Sequence, residues 1–293
     1  MEFTTAEELL ALCGSENITI ADVMRRREST EGELDPQTVE NKMKKALDIM
    51  RDSAHKPMSE ILPSRGGMIG GEAAKLSAHA AAGRSICGSV FTKALIYSQA
   101  VPEVNASMGV IVAAPTAGSS GVLPAVLFAL EEEFGLDEAT VLDGLFTAGA
   151  IGCLLMRNAS VAGAEAGCQA EVGTACAMAA GAATFLMGGS TEQIEYAASM
   201  AIEHMLGLTC DPVKGLVQVP CIERNAMAAG RALECAQYAL MTNTFHIISF
   251  DEVIMTMILT GEDIEDSLRE TSKAGLAQTY NLDELARKQR INE

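Results

Sequence analysis

The sequence predicts a mostly helical protein, and three observations carry that expectation. The apolar share of 48% leans on Ala, Met, Leu and Gly, while aromatics are 4% and Trp is absent. Such a composition suits closely packed helices better than a sandwich of β-branched and aromatic strands. Helix-start chemistry recurs along the chain. Clean period-2 alternation, in contrast, is scarce, and the one strand-like run, GVIVAA at 109–114, is too short to separate a strand from a buried helix end.

The elements follow in order. TAEE at 5–8 is a capping box, in which a hydroxyl accepts from a free backbone N–H and the later Glu reaches back. RRR at 25–27, followed by acidic residues, reads as a solvated face. DPQT at 35–38 sets Asp as cap and Pro at the first helical position, where a missing donor costs nothing. The Pro, Gly and polar residues of DSAHKPMSEILPSRGGMIGGE, 52–72, mark a soft boundary. It divides a helical appendage without a large core of its own, 1–60, from an Ala/Gly-rich helical body, 61–293. GGEAAKL at 70–76 places Lys75 in a first helical turn after paired glycines, and PTAGSSG at 115–121 precedes the apolar run VLPAVLFALEEE. A helix opens at Asp137 and keeps Leu142, Leu145 and Phe146 at helical intervals. VGTACAMAAGAATFLMGGS, 172–190, has the length of a membrane span but is built from Ala and Gly, so it reads as a buried helix with small faces. STEQ at 190–193 caps a helix running towards Leu206, and SFDE at 249–252 is a further capping box.

A net charge of −18 argues against nucleic acid and anionic membranes as partners, since affinity for a phosphate backbone comes mainly from Lys and Arg. The acidic start MEFTTAEELLALCG lacks the basic-then-apolar pattern of a signal peptide. The expected compartment is the cytoplasm. There, eight cysteines point away from a disulfide framework.

Three of those cysteines are flanked by helix-ending residues. Cys168 lies in GCQAEVG, Cys210 precedes Asp-Pro, and Cys221 follows Val-Pro, which holds the backbone open at each sulfur. The spacings, with 41 and 10 residues between them, match no short zinc or ferredoxin pattern. Small buried hydrophobes and metal ligands therefore both stand as readings at this point. Cys13, Cys87, Cys153, Cys176 and Cys235 lack comparable punctuation and read as core packing. His79, His204 and His246 show no HExxH pairing, and His55 reads as a surface residue. PTAGSSG offers hydroxyls and successive backbone donors, a shape for a small carboxylate or for plain helix capping. It is neither a GxSxG elbow nor a P-loop. Asn105, in EVNASMG, and Lys75 are further candidates for a carboxylate.

PTAGSSGVLPAVL, AGAEAGCQAEVGTACAMAA and GLTCDPVKGLVQVPCIERNAMAA, occurring in that order, resemble the α chain of iron-sulfur-dependent L-serine dehydratase, with similarity over about residues 60 to 275. The resemblance implies an all-α catalytic domain whose loops carry Cys168, Cys210 and Cys221 as ligands of an oxygen-sensitive [4Fe-4S] cluster. It implies one iron left open as a Lewis acid for the hydroxyl of L-serine, loss of water, and hydrolysis to pyruvate and ammonia without pyridoxal phosphate. Amino-acid degradation feeding gluconeogenesis is the corresponding setting. The resemblance further implies substrate contacts from Thr116, Ala117, Gly118, Ser119 and Ser120, with Asn105 and Lys75 as weaker candidates. Glu165, Arg224 and Asn225 flank the ligand cysteines as supporting groups. Single-chain relatives also carry a β domain with a Ser-Ser-His-Thr motif, which these residues lack, so a separate β chain is implied as partner in a heterodimer or larger oligomer; no residue here is assigned as the catalytic base, and that chain is the candidate place for it. In some relatives a C-terminal cysteine closes the resting cluster, whereas this sequence ends KQRINE. A cysteine desulfidase, or a helical metal-binding or redox-sensing protein without catalysis, are the alternatives.

Overall fold

In the computed structural model the described residues are 3–83, 85–242 and 247–281. His246 and the KQRINE end lie outside them. Among the described residues there are thirteen α-helices, two 3-10 turns and no strand. The one backbone bridge outside helices joins Cys210 and Arg269.

The start signals set the helices. Thr5 and Thr19 close capping boxes on α1 (Ala6–Glu16) and α2 (Ile20–Glu31), and Asp35 caps α3 (Pro36–Ser59). α3 runs through the first part of the boundary segment. Apolar side chains of all three helices join the same core cluster as the body. α4 (Glu72–Ala81) starts at Gly71, whose φ of 89° suits a residue without a side chain. α5 (Ser89–Ala106) is followed by GVIVAA, which is extended and unpaired in the ladder sense: neither strand nor helix. α6 (Val122–Phe134), α7 (Glu138–Asn158), the single turn α8 (Gly163–Ala166), α9 (Cys168–Leu186) and α10 (Thr191–Glu203) follow. α11 (Cys221–Met241), α12 (Phe250–Asp263) and the short α13 (Leu276–Thr279) complete the described chain.

α9 is the axis. Of its residues only Glu171 and Phe185 are not buried, and α6, α7, α10 and α11 pack around it. A helix apolar on every side needs such a sleeve, and Ala and Gly let neighbouring backbones come close. α7 is the one described helix long and apolar enough to cross a membrane, and it is 67% buried within this core.

Some expectations give way to tertiary charge pairing. The RRR segment is a solvated face only at Arg26: Arg25 reaches Glu40 at 3.0 Å and lies 4.2 Å over the Phe146 ring. Arg27, buried, pairs with Glu31 at 2.9 Å and contacts Cys153 Sγ. Arg25 thus answers to acidic residues of α3 and α7, whereas Arg27 pairs within α2 and touches α7. His55 is likewise half-buried, 4.9 Å from the Tyr97 ring and 3.0 Å from Glu132. Cys13, Cys176 and Cys235 are buried, but Cys87 lies exposed in a loop, so core packing does not hold for it.

Close packing along α9 generates a test. A Cβ on Gly181 would sit 2.0 Å from Ile151 Cδ1. Overpacking costs about 1–3 kcal/mol, against roughly 1 kcal/mol gained from helix propensity. Gly181→Ala is therefore expected to lower stability in urea denaturation. Adding Ile151→Val, which deletes Cδ1, should recover part of that loss rather than add to it.

Candidate active site

Three helix starts meet on one side of the core. Cys168 is the first residue of α9 and Cys221 the first of α11, so two of the three cysteines sit on helix N-termini just after a loop. Cys210 alone sits in a loop. Its N–H donates to Leu268 O at 2.8 Å, and its carbonyl accepts from Glu270 N at 2.7 Å. Free N–H groups and the helix dipole at such starts favour negative sulfur.

Local chemistry enforces this placement. Gly167 has φ 75° and a Cβ there would fall 2.7 Å from Leu208 O, so glycine is required for the loop to pass. The buried Gln169 side chain accepts from Gly207 N at 2.8 Å and donates to Met257 O at 2.8 Å. Its backbone N–H donates to Leu208 O at 3.0 Å. These bonds fix the segment leading to Cys210 against the start of α9.

The first turn of α11 ties the remaining pieces. Arg224 donates to Thr209 O at 2.8 Å, to Asp211 Oδ1 at 2.8 Å and to Cys168 Sγ at 3.4 Å. Asn225, fully buried, donates to Gly118 O at 2.7 Å and to Cys221 O at 2.8 Å, while its Oδ1 accepts from Gly121 N at 2.9 Å. PTAGSSG is thereby bound to the Cys221 turn. Gln99 of α5 backs the same turn, donating to Ile222 O at 3.0 Å.

Within PTAGSSG the hydroxyls have distinct partners. Thr116 Oγ1 lies 3.1 Å from Ser119 Oγ and donates to Glu171 Oε1. Ser120 Oγ donates to Ala117 O at 2.8 Å, an internal turn bond, and both serines are buried. Gly118 lies under Glu171, since a Cβ there would fall 2.6 Å from Oε1. Ala117 is exposed at the tip of the turn.

Cys168, Glu171 and Cys210 form one group. A ligand atom from each lies within 4.8 Å of the others. Glu171 was not among the candidates, though its place three residues after Cys168 on one helix face could have pointed to it. The Cys210 thiol and the Arg224 guanidinium beside Cys168 hold that thiol below its ordinary range despite burial. Donation to Cys168, together with burial, pushes Cys210 up. Burial, followed by the charges of Cys168 and Glu171, pushes Cys221 up to about 12. Burial also raises Glu171, against the hydrogen bond from Thr116. Cys168, Cys210 and Glu171 thus face each other with Arg224 as the nearby cation, and Cys221, outside that 4.8 Å group, opens the helix turn that carries Arg224. Soft sulfur in this number, short of positive charge, suits a thiophilic metal centre, and thiolates are the donors that hold iron-sulfur clusters.

The other sequence candidates lie further out. Glu165 is exposed and accepts from Ser160 Oγ, so it faces away from the sulfurs. Lys75 is exposed on α4, whose start is held by the buried Glu103, accepting from Gly71 N at 3.1 Å and Ala73 N at 2.8 Å. Asn105 is half-buried in the last turn of α5. Among the described residues no hydrogen bond or ion pair joins the side chain of Lys75 or Asn105 to the sulfur group.

The profile of the family described as serine dehydratase alpha chain matches residues 15–277. A Bacillus subtilis protein named probable L-serine dehydratase, alpha chain, is 42% identical over 98% of this chain and 95% of its own length. The L-serine dehydratase alpha chain of Peptoniphilus asaccharolyticus is 41% identical over 93% of each. A Helicobacter pylori L-serine dehydratase is 39% identical over 95% of this chain but only 62% of its own.

Asn225 supplies the test of this geometry. Asn225→Ala leaves Gly121 N and two carbonyls without their partner in a buried setting, a loss of roughly 2–4 kcal/mol. Thermal unfolding should register it, and amide exchange should rise selectively at 116–121. Unchanged exchange there would show that the turn does not depend on α11.

Proposed function

Because the chain belongs to the serine dehydratase alpha chain family, we propose that it is the α subunit of an L-serine dehydratase, a lyase that uses a [4Fe-4S] cluster to convert L-serine to pyruvate and ammonia. The observation that carries the metal-centred part is the gathering of Cys168 and Cys210 with Glu171 within 4.8 Å; Cys221 lies outside that group, at the start of the α11 turn whose Arg224 donates to Cys168. Cys168, Cys210 and Cys221 would hold the cluster. When bound, it supplies an electrophilic iron that makes the serine hydroxyl a better leaving group.

The chain's own residues then have separable tasks. Arg224 keeps positive charge beside Cys168 and holds Thr209 and Asp211, which fixes the Cys210 loop. Asn225 fixes PTAGSSG, whose backbone donors receive the substrate carboxylate while the Thr116 hydroxyl, donating to Glu171, holds the turn in place. Ser119 and Ser120 shape that turn from within. Lys75 and Asn105 extend the carboxylate contacts. Removal of the α proton falls to a base contributed by a separate β chain, a partner in keeping with the alpha-chain naming of the relatives. The same reading places the enzyme in the cytoplasm as an α/β assembly, with no need for pyridoxal phosphate.

Anaerobic reconstitution with iron and sulfide, together with the β chain, is expected to yield pyruvate from L-serine. Cys210→Ala and Cys221→Ala should each reduce turnover to background. Full turnover in either variant, or faster sulfide release from L-cysteine than pyruvate formation from L-serine, would contradict the assignment.

A further inference from the structure

We propose that, before substrate binds, Glu171 is itself a ligand of the metal centre, its carboxylate supplying an oxygen donor beside the sulfurs of Cys168 and Cys210 at the position that L-serine then takes over, while it also holds the substrate turn. The inference rests on the cysteine-held centre proposed above. Cys168 and Glu171 stand three residues apart on the first turn of α9, which puts carboxylate and thiol on one face. Cys210 completes the group within 4.8 Å.

The two carboxylate oxygens face different ways. Oε1 accepts from Thr116 Oγ1 and lies over Gly118. Oε2 borders the space at Gly163, where a Cβ would fall 3.3 Å from it and 3.0 Å from Cys210 Sγ. Glycine at 163 leaves that space open between carboxylate and thiol, and any larger residue would fill it. Among the described residues no Lys, Arg or His forms an ion pair with Glu171, and Arg224 is occupied by Cys168, Thr209 and Asp211. A largely enclosed carboxylate between two thiols, with no side-chain cation of its own, is a donor set that a metal cation completes. The same residue then links metal occupancy to the position of Thr116: a bound metal on one side of the carboxylate fixes the acceptor that orients the turn on the other.

Cobalt(II) titration of the metal-free chain under anaerobic conditions tests this, because thiolate-to-cobalt absorption reports the sulfurs independently of activity. Glu171→Gln, close to isosteric, is expected to weaken cobalt binding by roughly tenfold or more while the thiolate band survives. Glu171→Asp, which keeps a carboxylate, should bind better than Glu171→Gln. Thr116→Val removes the hydrogen bond to Glu171 and those with Ser119 but keeps the carboxylate, and should lose far less cobalt affinity than Glu171→Gln, which separates ligation from turn positioning. Iron loss to a chelator from the cluster-loaded protein should be faster in Glu171→Gln by a similar factor. If the native chain shows a thiolate band and loads iron and sulfide but Glu171→Gln matches it in both assays, the Glu171 assignment falls and the proposed function stands. If the native chain shows neither thiolate band nor cluster, both fall.

Discussion

The site depends on the first turn of α11. Two consecutive side chains there do different work: Arg224 reaches the start of α9 and the Cys210 loop, and Asn225 reaches the turn at 115–121 ahead of α6. Because Cys221 opens the same turn, one rigid helical start sets the relative positions of all three cysteines and of PTAGSSG. Without these bonds the segments would share only apolar packing, which is non-directional and does not fix the orientation of a sulfur.

Electrostatics explains why the turn is built this way. Three thiols and a carboxyl enclosed in an Ala/Gly core carry a strong cost if ionised without compensation. The protein supplies partial compensation through Arg224, through two helix starts and through proton sharing between Cys168 and Cys210. The remainder is what the proposed metal centre would supply. Small residues serve both ends of this design: along α9 they bring neighbouring helices close, and at Gly118 and Gly163 they keep the space beside Glu171 empty.

Much of the fold was legible in the sequence because its signals are local. The capping residues Thr5, Asp35, Asp137, Ser190 and Ser249 all cap helices in the structure, since a cap needs only three or four neighbouring residues. The helix at 172–190 was recognised as buried from its small-residue composition. What could not be read locally was pairing across the chain. The arginines at 25–27 take partners from α1, α2, α3 and α7, so their charge gave no guide to exposure. Glu171 was passed over because its importance comes from Thr116 and Cys210, 55 and 39 residues away. Glu165, nearer to Cys168 in sequence than many true neighbours, points to Ser160 instead.

The central claim is that Cys168, Cys210 and Cys221 share one iron-sulfur centre with an iron that answers to L-serine. The Mössbauer spectrum of the isotopically enriched, anaerobically loaded protein, recorded with and without L-serine, tests it most directly. The account predicts that one iron site of the cluster changes its isomer shift and quadrupole splitting when serine is added while the others keep theirs. A cluster whose irons are all indifferent to serine, or a chain that retains no cluster at all, would contradict it.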